Sequence, residues 1–234
     1  MSAEFDRVGE RYEDLVQRSI GFSGLEHRFF LEAKARRLVE LVDRRLGDPK
    51  ELSLLDVGCG AGNMHPYLTA FGRVEGADPS EAMVEVARAA NPHVRYHVAP
   101  GERLPLPTGS YDVTLAVAVL HHVEPAERTP LLTELARVTR AGGLCVVFEH
   151  NPLNPLTRLA VSRCEFDEDA SLLGSKEARR TLAASGFEPV ESAYILFFPW
   201  NGAFWQRAER RLSRLPLGAQ YYVAASRRVA ESRG

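Results

Sequence analysis

Cysteine is scarce in this chain of 234 residues: Cys59, Cys145 and Cys164 are the only three. An odd, widely spaced set does not make a disulfide framework, and no pair has zinc-site spacing. Lysine is equally scarce, with Lys34, Lys50 and Lys176 as the whole set, so most of the positive charge is arginine. No run of 18 apolar residues occurs, so no membrane-crossing helix is predicted. The opening MSAEFDRVGERYEDL is too charged for a secretory leader, which makes the cytoplasm the expected location. Net charge is also missing: 29 basic and 31 acidic residues leave −2. That excludes a globally basic nucleic-acid binder, and with no binding module in view no nucleic-acid partner is expected.

What is present suits one α/β domain. Hydrophobic residues make up 45% of the chain, enough for a sizeable core. Phe5 to Ile20 carries an apolar stripe of helical period, and a second helix is predicted from Leu25 to Leu46. Short apolar runs at Leu52–Val57, Arg73–Ala77, Val94–Val98, Tyr111–Val119 and Leu144–Phe148 then alternate with helical stretches at Asn63–Phe71, Ser80–Ala90 and Pro125–Arg140. Ala141-Gly142-Gly143 reads as the glycine stop of the last of these. Near-continuous apolar strands between helices imply a parallel sheet covered on both faces. After Asn151 the alternation lapses. It resumes with a helix at Ser175–Ser185, strands at Val190–Phe198 and Ala219–Ser226, and a helix-like segment at Trp200–Leu215.

LLDVGCGAGN, residues 54–63, is the most informative stretch. A buried strand enters a loop of small residues, where a ligand can touch backbone and where a following helix would offer free N–H groups. In a doubly wound sheet this is the ligand end. The glycines fall at 58, 60 and 62, and Asn63 stands where a dinucleotide fingerprint has its third glycine. That disfavours a pyrophosphate. Asp78 closes the second strand, where a carboxylate can accept from both ribose hydroxyls. Both features suit an adenosine without phosphates.

DVGCGAG, then VEGADPS, then ERLPLPTGSYDVTLAVAVLHHV resembles the class I S-adenosylmethionine-dependent methyltransferases, in particular the small-molecule enzymes with LPFPDGSFD and LHH motifs. The likeness is close over residues 50–150. It implies a Rossmann-like seven-stranded fold, strand order 3-2-1-4-5-7-6, with strand seven antiparallel. The implied parts are an N-terminal helical lid (1–48), a cofactor core (50–150), a cap-like insert after strand five (151–173) and a C-terminal helix with strands (174–234). The implied activity is methyl transfer from S-adenosylmethionine to a small-molecule acceptor. The resemblance places Asp56, Gly58, Cys59, Gly60 and Gly62 along the methionine end, and Asp78 and Pro79 at the ribose. It places Met83, Gly101 and Glu102 beside the adenine, and Ala116 to Val119 next to the methyl. Tyr12 either closes over the methionine end or packs in an ordinary aromatic stripe. One departure stands out: similar enzymes carry G-D-A where this chain has Ala99-Pro100-Gly101, so the adenine-contacting carboxylate is absent.

The methyl of a sulfonium is already electrophilic, so proximity and orientation can carry much of the rate. A base helps only an acceptor that must lose a proton. His150 is the preferred candidate and His121 the second, each at the carboxyl end of a strand. His121, His122, Glu124 and His150 show no metal-ligand spacing, and no metal is expected. Arg158 and Arg163 in the insert either bind an acidic acceptor group or pair with Glu165, Asp167, Glu168 and Asp169. The segment 197–215 interleaves aromatics with arginine, as an interfacial helix would, and a peripheral membrane contact is one reading of it. A helix packed on the last two strands is the other. Two rival functions stay open: a non-catalytic cofactor- or partner-binding module, and an NAD(P)-dependent oxidoreductase.

Overall fold

The structure is a computed structural model that describes residues 17–21, 24–100, 103–164, 167 and 169–229. Tyr12, Gly101, Glu102, Glu165 and Glu168 lie outside the described residues. Helix α1 (His27–Leu46) precedes the sheet. Then come β1 (Ser53–Val57), β2 (Arg73–Asp78), α2 (Glu81–Ala90), β3 (Arg95–Val98), β4 (Tyr111–Val117), α3 (Arg128–Val138) and β5 (Thr139–His150). The chain ends through α4 (Pro155–Val161), α5 (Ser175–Ala184), β6 (Phe187–Ile195), α6 (Ala203–Leu212) and β7 (Gln220–Arg227).

The seven strands form one sheet in the order β3-β2-β1-β4-β5-β7-β6. β1 to β5 are parallel, and β7 runs antiparallel to both β5 and β6. This is the Rossmann-like class I arrangement that the motifs implied. Successive strand residues point to opposite faces, so each apolar run feeds two cores at once. Leu55, Val57, Val147 and Val223 pack beneath α3 and α5, against Leu132, Leu135 and Leu182. Leu54, Leu115, Val146 and Phe148 pack on the other face, against Leu38, Leu41 and Val42 of α1. Each of those three α1 side chains is fully buried and stabilises the fold by about 1.5–3 kcal/mol. Most of α1 is therefore a structural layer, and only its first turns reach the ligand end.

Two expectations need correction. Residues 63–71 are not a helix: only His65–Tyr67 makes a single 3-10 turn. Pro66 removes a backbone donor there, and the segment drops inward to bury Met64 and His65. Glycines 142 and 143 do not cap α3, which ends at Val138 and passes directly into β5. They lie instead where the β4–β5 register shifts between Tyr111/Thr139 and Val113/Leu144. In the insert after β5, where the alternation lapses, Asn154 caps α4 by accepting from the N–H groups of Leu156 and Thr157. Ser80 caps α2, accepting from Met83 N–H at 3.2 Å.

Candidate active site

A cavity of about 550 Å³ opens at the carboxyl ends of β1, β2 and β4. That is within the usual size for a small-molecule site. Its floor is the glycine loop. Gly58 has φ +72° and a Cβ there would lie 2.6 Å from Val119 Cγ2; Gly62 has φ +74° and a Cβ would lie 2.6 Å from the Tyr96 hydroxyl oxygen. Both positions combine a left-handed backbone with a close approach that only glycine allows.

The loop spends its own donors. Gly58 and Cys59 N–H donate to Ala77 O, Gly62 N–H to Cys59 O, and Gly60 N–H to Asp78 Oδ2 at 2.8 Å. With no helix following the loop, neither a dipole nor a row of free N–H groups awaits a pyrophosphate. The other Asp78 oxygen accepts from Ser80 N–H at 3.0 Å. Asp78 is thus held between the loop and the start of α2, at the edge of the cavity. Asp56 lies at the end of β1, 3.3 Å from His65 Nε2, while His65 Nδ1 meets the Tyr96 hydroxyl at 2.5 Å. His65 and Tyr96 pack behind Asp56, a grouping that no local motif signalled.

Of the expected site residues, Asp56, Gly58, Cys59, Gly60, Asp78, Pro79 and Met83 line this cavity. Gly62 does not; it packs behind the loop on Ala87, Asn91 and Tyr96. Burial, with the Asp56 and Asp78 charges, holds the Cys59 thiol well above its usual value, so it is no nucleophile. Of the expected run Ala116 to Val119, Val117, Ala118 and Val119 line the cavity, while Ala116 does not reach it because strand alternation turns it into the core. Ala118 has φ 57°, an uncommon left-handed conformation for alanine, and its N–H donates to Phe148 O at 2.8 Å. That turn folds the end of β4 into the cavity wall.

The two histidines expected to act as bases are elsewhere. Neither His121 nor His150 lines the cavity, whereas His122 does. Leu120–His122 is a 3-10 turn, which sends His121 inward and His122 toward the ligand end. His121 Nδ1 lies 2.6 Å from Glu149 Oε2, and its Nε2 lies 3.4 Å from Asp167 Oδ1. Burial opposes its charge, but those two carboxylates prevail and carry its pKa up to about 9. Burial and the charge on His121 push both His122 and His150 down to about 4. Arg158 and Arg163 take no part in the cavity wall, and Asp167 is engaged by His121 and His122.

The sequence reading missed α1's contribution. His27, Leu31 and Lys34 line the cavity. Lys34 is 4% exposed. Among the described residues its ammonium meets no hydrogen-bond or ion-pair partner. Burial lowers its pKa to about 8, against the pull of Glu149. His27 is pushed down to about 4 by burial and by Lys34. A wall of carboxylates at one set of strand ends and a buried ammonium from α1 therefore share one otherwise mostly apolar space.

Residues 55–147 match the family described as the methyltransferase domain. The human thiol S-methyltransferase TMT1B is 33% identical over 127 residues, 51% of each chain. The chain thus spans about half the length of this relative. A ubiquinone biosynthesis O-methyltransferase of Sinorhizobium fredii is 29% identical over 170 residues, covering 65% of this chain and 68% of its own. Among solved structures, a Thermotoga maritima protein described as an S-adenosylmethionine-dependent methyltransferase superposes with a TM-score of 0.61 at 23% identity. It covers 92% of this chain and 99% of that one.

Proposed function

We propose that the protein, whose residues 55–147 match the methyltransferase-domain family within a seven-stranded sheet of Rossmann-like order, moves a methyl group from S-adenosylmethionine to an acidic S–H or O–H group of an apolar small molecule. The single observation that carries this reading is the shared cavity: Asp56, Asp78 and Met83 on one part of its wall, Lys34 on another.

The residues fit the donor. Asp78 has the position and the acceptor oxygens for ribose hydroxyls, Met83 and Leu104 offer apolar contact for a base, and Asp56 sets a negative charge beside the loop. S-adenosylmethionine, when bound, supplies a methyl group on a positively charged sulfur. The chain holds the two reactants together and keeps water out, which is worth several kcal/mol on its own. An acceptor thiol or phenol attacks as its anion. The buried Lys34 ammonium stabilises that anion where water cannot screen it, so a strong general base is not needed. Two of the relatives are named for S- and O-methyl transfer.

The direct test is calorimetric titration with S-adenosylhomocysteine, followed by transfer assays on alkyl thiols and phenols. Absence of binding at millimolar ligand sinks the reading; binding without transfer to either class favours the non-catalytic rival. Lys34→Met sharpens the test. The expected loss in kcat/KM is about a hundredfold, and native activity should fall as pH rises through about 8, a limb that the variant lacks. Stability moves the opposite way. Lys34 titrates at about 8 in the folded chain against 10.5 unfolded, so folding loses stability as pH falls from about 10.5 to about 8 and no further below that. Lys34→Met is therefore expected to gain on the order of 1–3 kcal/mol at pH 7 and nothing at pH 11. A variant no more stable at pH 7, or as active as native, removes the ammonium from the mechanism.

An apolar acceptor would be collected at a lipid surface through α6, which buries none of its residues. Phe204, Trp200, Leu217, Leu153 and Leu156 are all more than half exposed. Asn154 Nδ2 donates to Leu217 O at 2.7 Å and so joins the α4 side of this surface to the α6 side. Arg207, Arg211 and Arg214 are exposed along the same segment. No described helix is long and apolar enough to cross a membrane, so the contact would be peripheral. Sedimentation with phosphatidylglycerol vesicles should bring the protein down, phosphatidylcholine vesicles less so. Phe204→Glu should reduce binding about tenfold. Equal recovery with both lipids, or an unaffected variant, contradicts it.

A further inference from the structure

Outside the cavity, three groups from separate parts of the chain converge. His121 follows β4, His150 ends β5, and Asp167 comes from the insert. One ligating atom from each lies within 4.8 Å of the other two. We propose that His121, His150 and Asp167 form a binding site for a divalent transition-metal ion of the zinc type.

The hydrogen bonds point to a positive centre between these groups. His121 Nδ1 faces Glu149 Oε2 at 2.6 Å. A carboxylate only accepts, so Nδ1 carries the proton, and a neutral ring then presents the Nε2 lone pair to Asp167 Oδ1, 3.4 Å away. Where no ion is bound, a second ring proton fills that gap and joins His121 to Asp167; a metal ion would take that proton's place. A carboxylate behind a histidine is the arrangement that orients metal-bound imidazoles and raises their basicity. The separation also fits: a tetrahedral ion about 2.1 Å from each ligand spaces its ligands about 3.4 Å apart.

His150 has its own supporting group. The Gln220 amide lies 3.4 Å from His150 Nδ1, and Gln220 Oε1 is buried without a partner. Amide oxygen and nitrogen are interchangeable assignments. With the oxygen facing the ring, Nδ1 donates to it and Nε2 becomes the ligating atom. The rings of His121 and His150 are 5.0 Å apart. His121 is fully buried, while His150 and Asp167 are partly exposed, so an ion has a way in. Two imidazoles and one carboxylate leave a fourth position open for water or another ligand. His122 Nε2, also 3.4 Å from Asp167 Oδ1, ties the site to the cavity wall. The site does not depend on the methyl-transfer reading.

The test uses the full chain, stripped with a chelator and dialysed. Co²⁺ is titrated as a visible probe, and Zn²⁺ retention is measured by atomic absorption. The expected results are one equivalent of Zn²⁺ retained and d–d absorption that saturates at one equivalent of Co²⁺. His150→Gln and Asp167→Asn should each weaken Co²⁺ binding at least a hundredfold, and Glu149→Gln, one bond further out, about 10- to 100-fold. Far-ultraviolet circular dichroism and the urea midpoint of each variant report whether it is folded. No Co²⁺ spectrum and no retained Zn²⁺ in a folded chain would overturn the site and leave a proton on His121 as the positive centre. So would metal binding that survives both His150→Gln and Asp167→Asn.

Discussion

Asp78→Ala is expected to weaken S-adenosylhomocysteine binding by about a hundredfold to a thousandfold. The carboxylate has two tasks. Toward the protein it accepts from Gly60 N–H and from Ser80 N–H, at 2.8 and 3.0 Å, and so holds the glycine loop against the start of α2. Toward the cavity, under the proposed function, it takes the ribose hydroxyls. Hydrogen bonds to a charged group contribute about 1.5–3 kcal/mol each, and every 1.4 kcal/mol is about tenfold in affinity. Loss of two ligand bonds, or of one together with the order of the loop, gives the stated range. Asp78→Asn separates the tasks. Its single amide oxygen can still take the Gly60 N–H, so the loop should stay in place while ribose binding falls by about tenfold. Calorimetry reads both. An alanine variant within threefold of native affinity would remove Asp78 from the ligand site.

Glu149→Ala should destabilise the folded chain by about 3–5 kcal/mol. This side chain is 1% exposed. It accepts from Val119 N–H at 3.1 Å, from Leu120 N–H at 2.6 Å, and from His121 Nδ1 at 2.6 Å. It therefore pins the turn that follows β4, which carries Val119 into the cavity wall. Alanine would strand the buried Leu120 N–H and the part-buried Val119 N–H, and leave the buried His121 imidazolium with Asp167 alone. Typical stability is about 5–15 kcal/mol in total, so the loss is large and should show as a lower urea midpoint at unchanged slope. Glu149→Gln keeps an acceptor for the backbone donors and should lose roughly half as much. A loss under about 1 kcal/mol in the alanine variant would mean that the turn is held by something else.

Much of the site was legible because its signals are local. Gly58 and Gly60 are two residues apart at a strand end, and Asp78 stands at the end of the next strand. Both answer to backbone geometry within a few residues, and both line the cavity. The failures are equally instructive. Apolar spacing over 63–71 suits a helix, but Pro66 and the burial of Met64 and His65 prevail over it. Ala116 was a neighbour of the right residues on the wrong face of β4. His121 and His150 stand at the right strand ends, yet the left-handed turn at Ala118 and the 3-10 turn after it decide which histidine meets the ligand.

By itself, the sequence determined the class of fold, the position of the ligand end and the poor fit to a pyrophosphate. Those follow from periodicity, strand order implied by ordered motifs, and a missing glycine at 63, all written within short stretches of chain. Only the tertiary structure decided that Lys34, from a helix before the sheet, is a buried ammonium in the same space as Asp78. It alone brought His121, His150 and Asp167 together. The physical reason is that burial and charge proximity belong to contacts between distant segments, and neither has any trace in local spacing. The scarcity of lysine and cysteine, which first seemed only to exclude, takes on a positive sense here. One of three lysines is buried at the candidate active site, and the candidate metal ligands are histidine and aspartate.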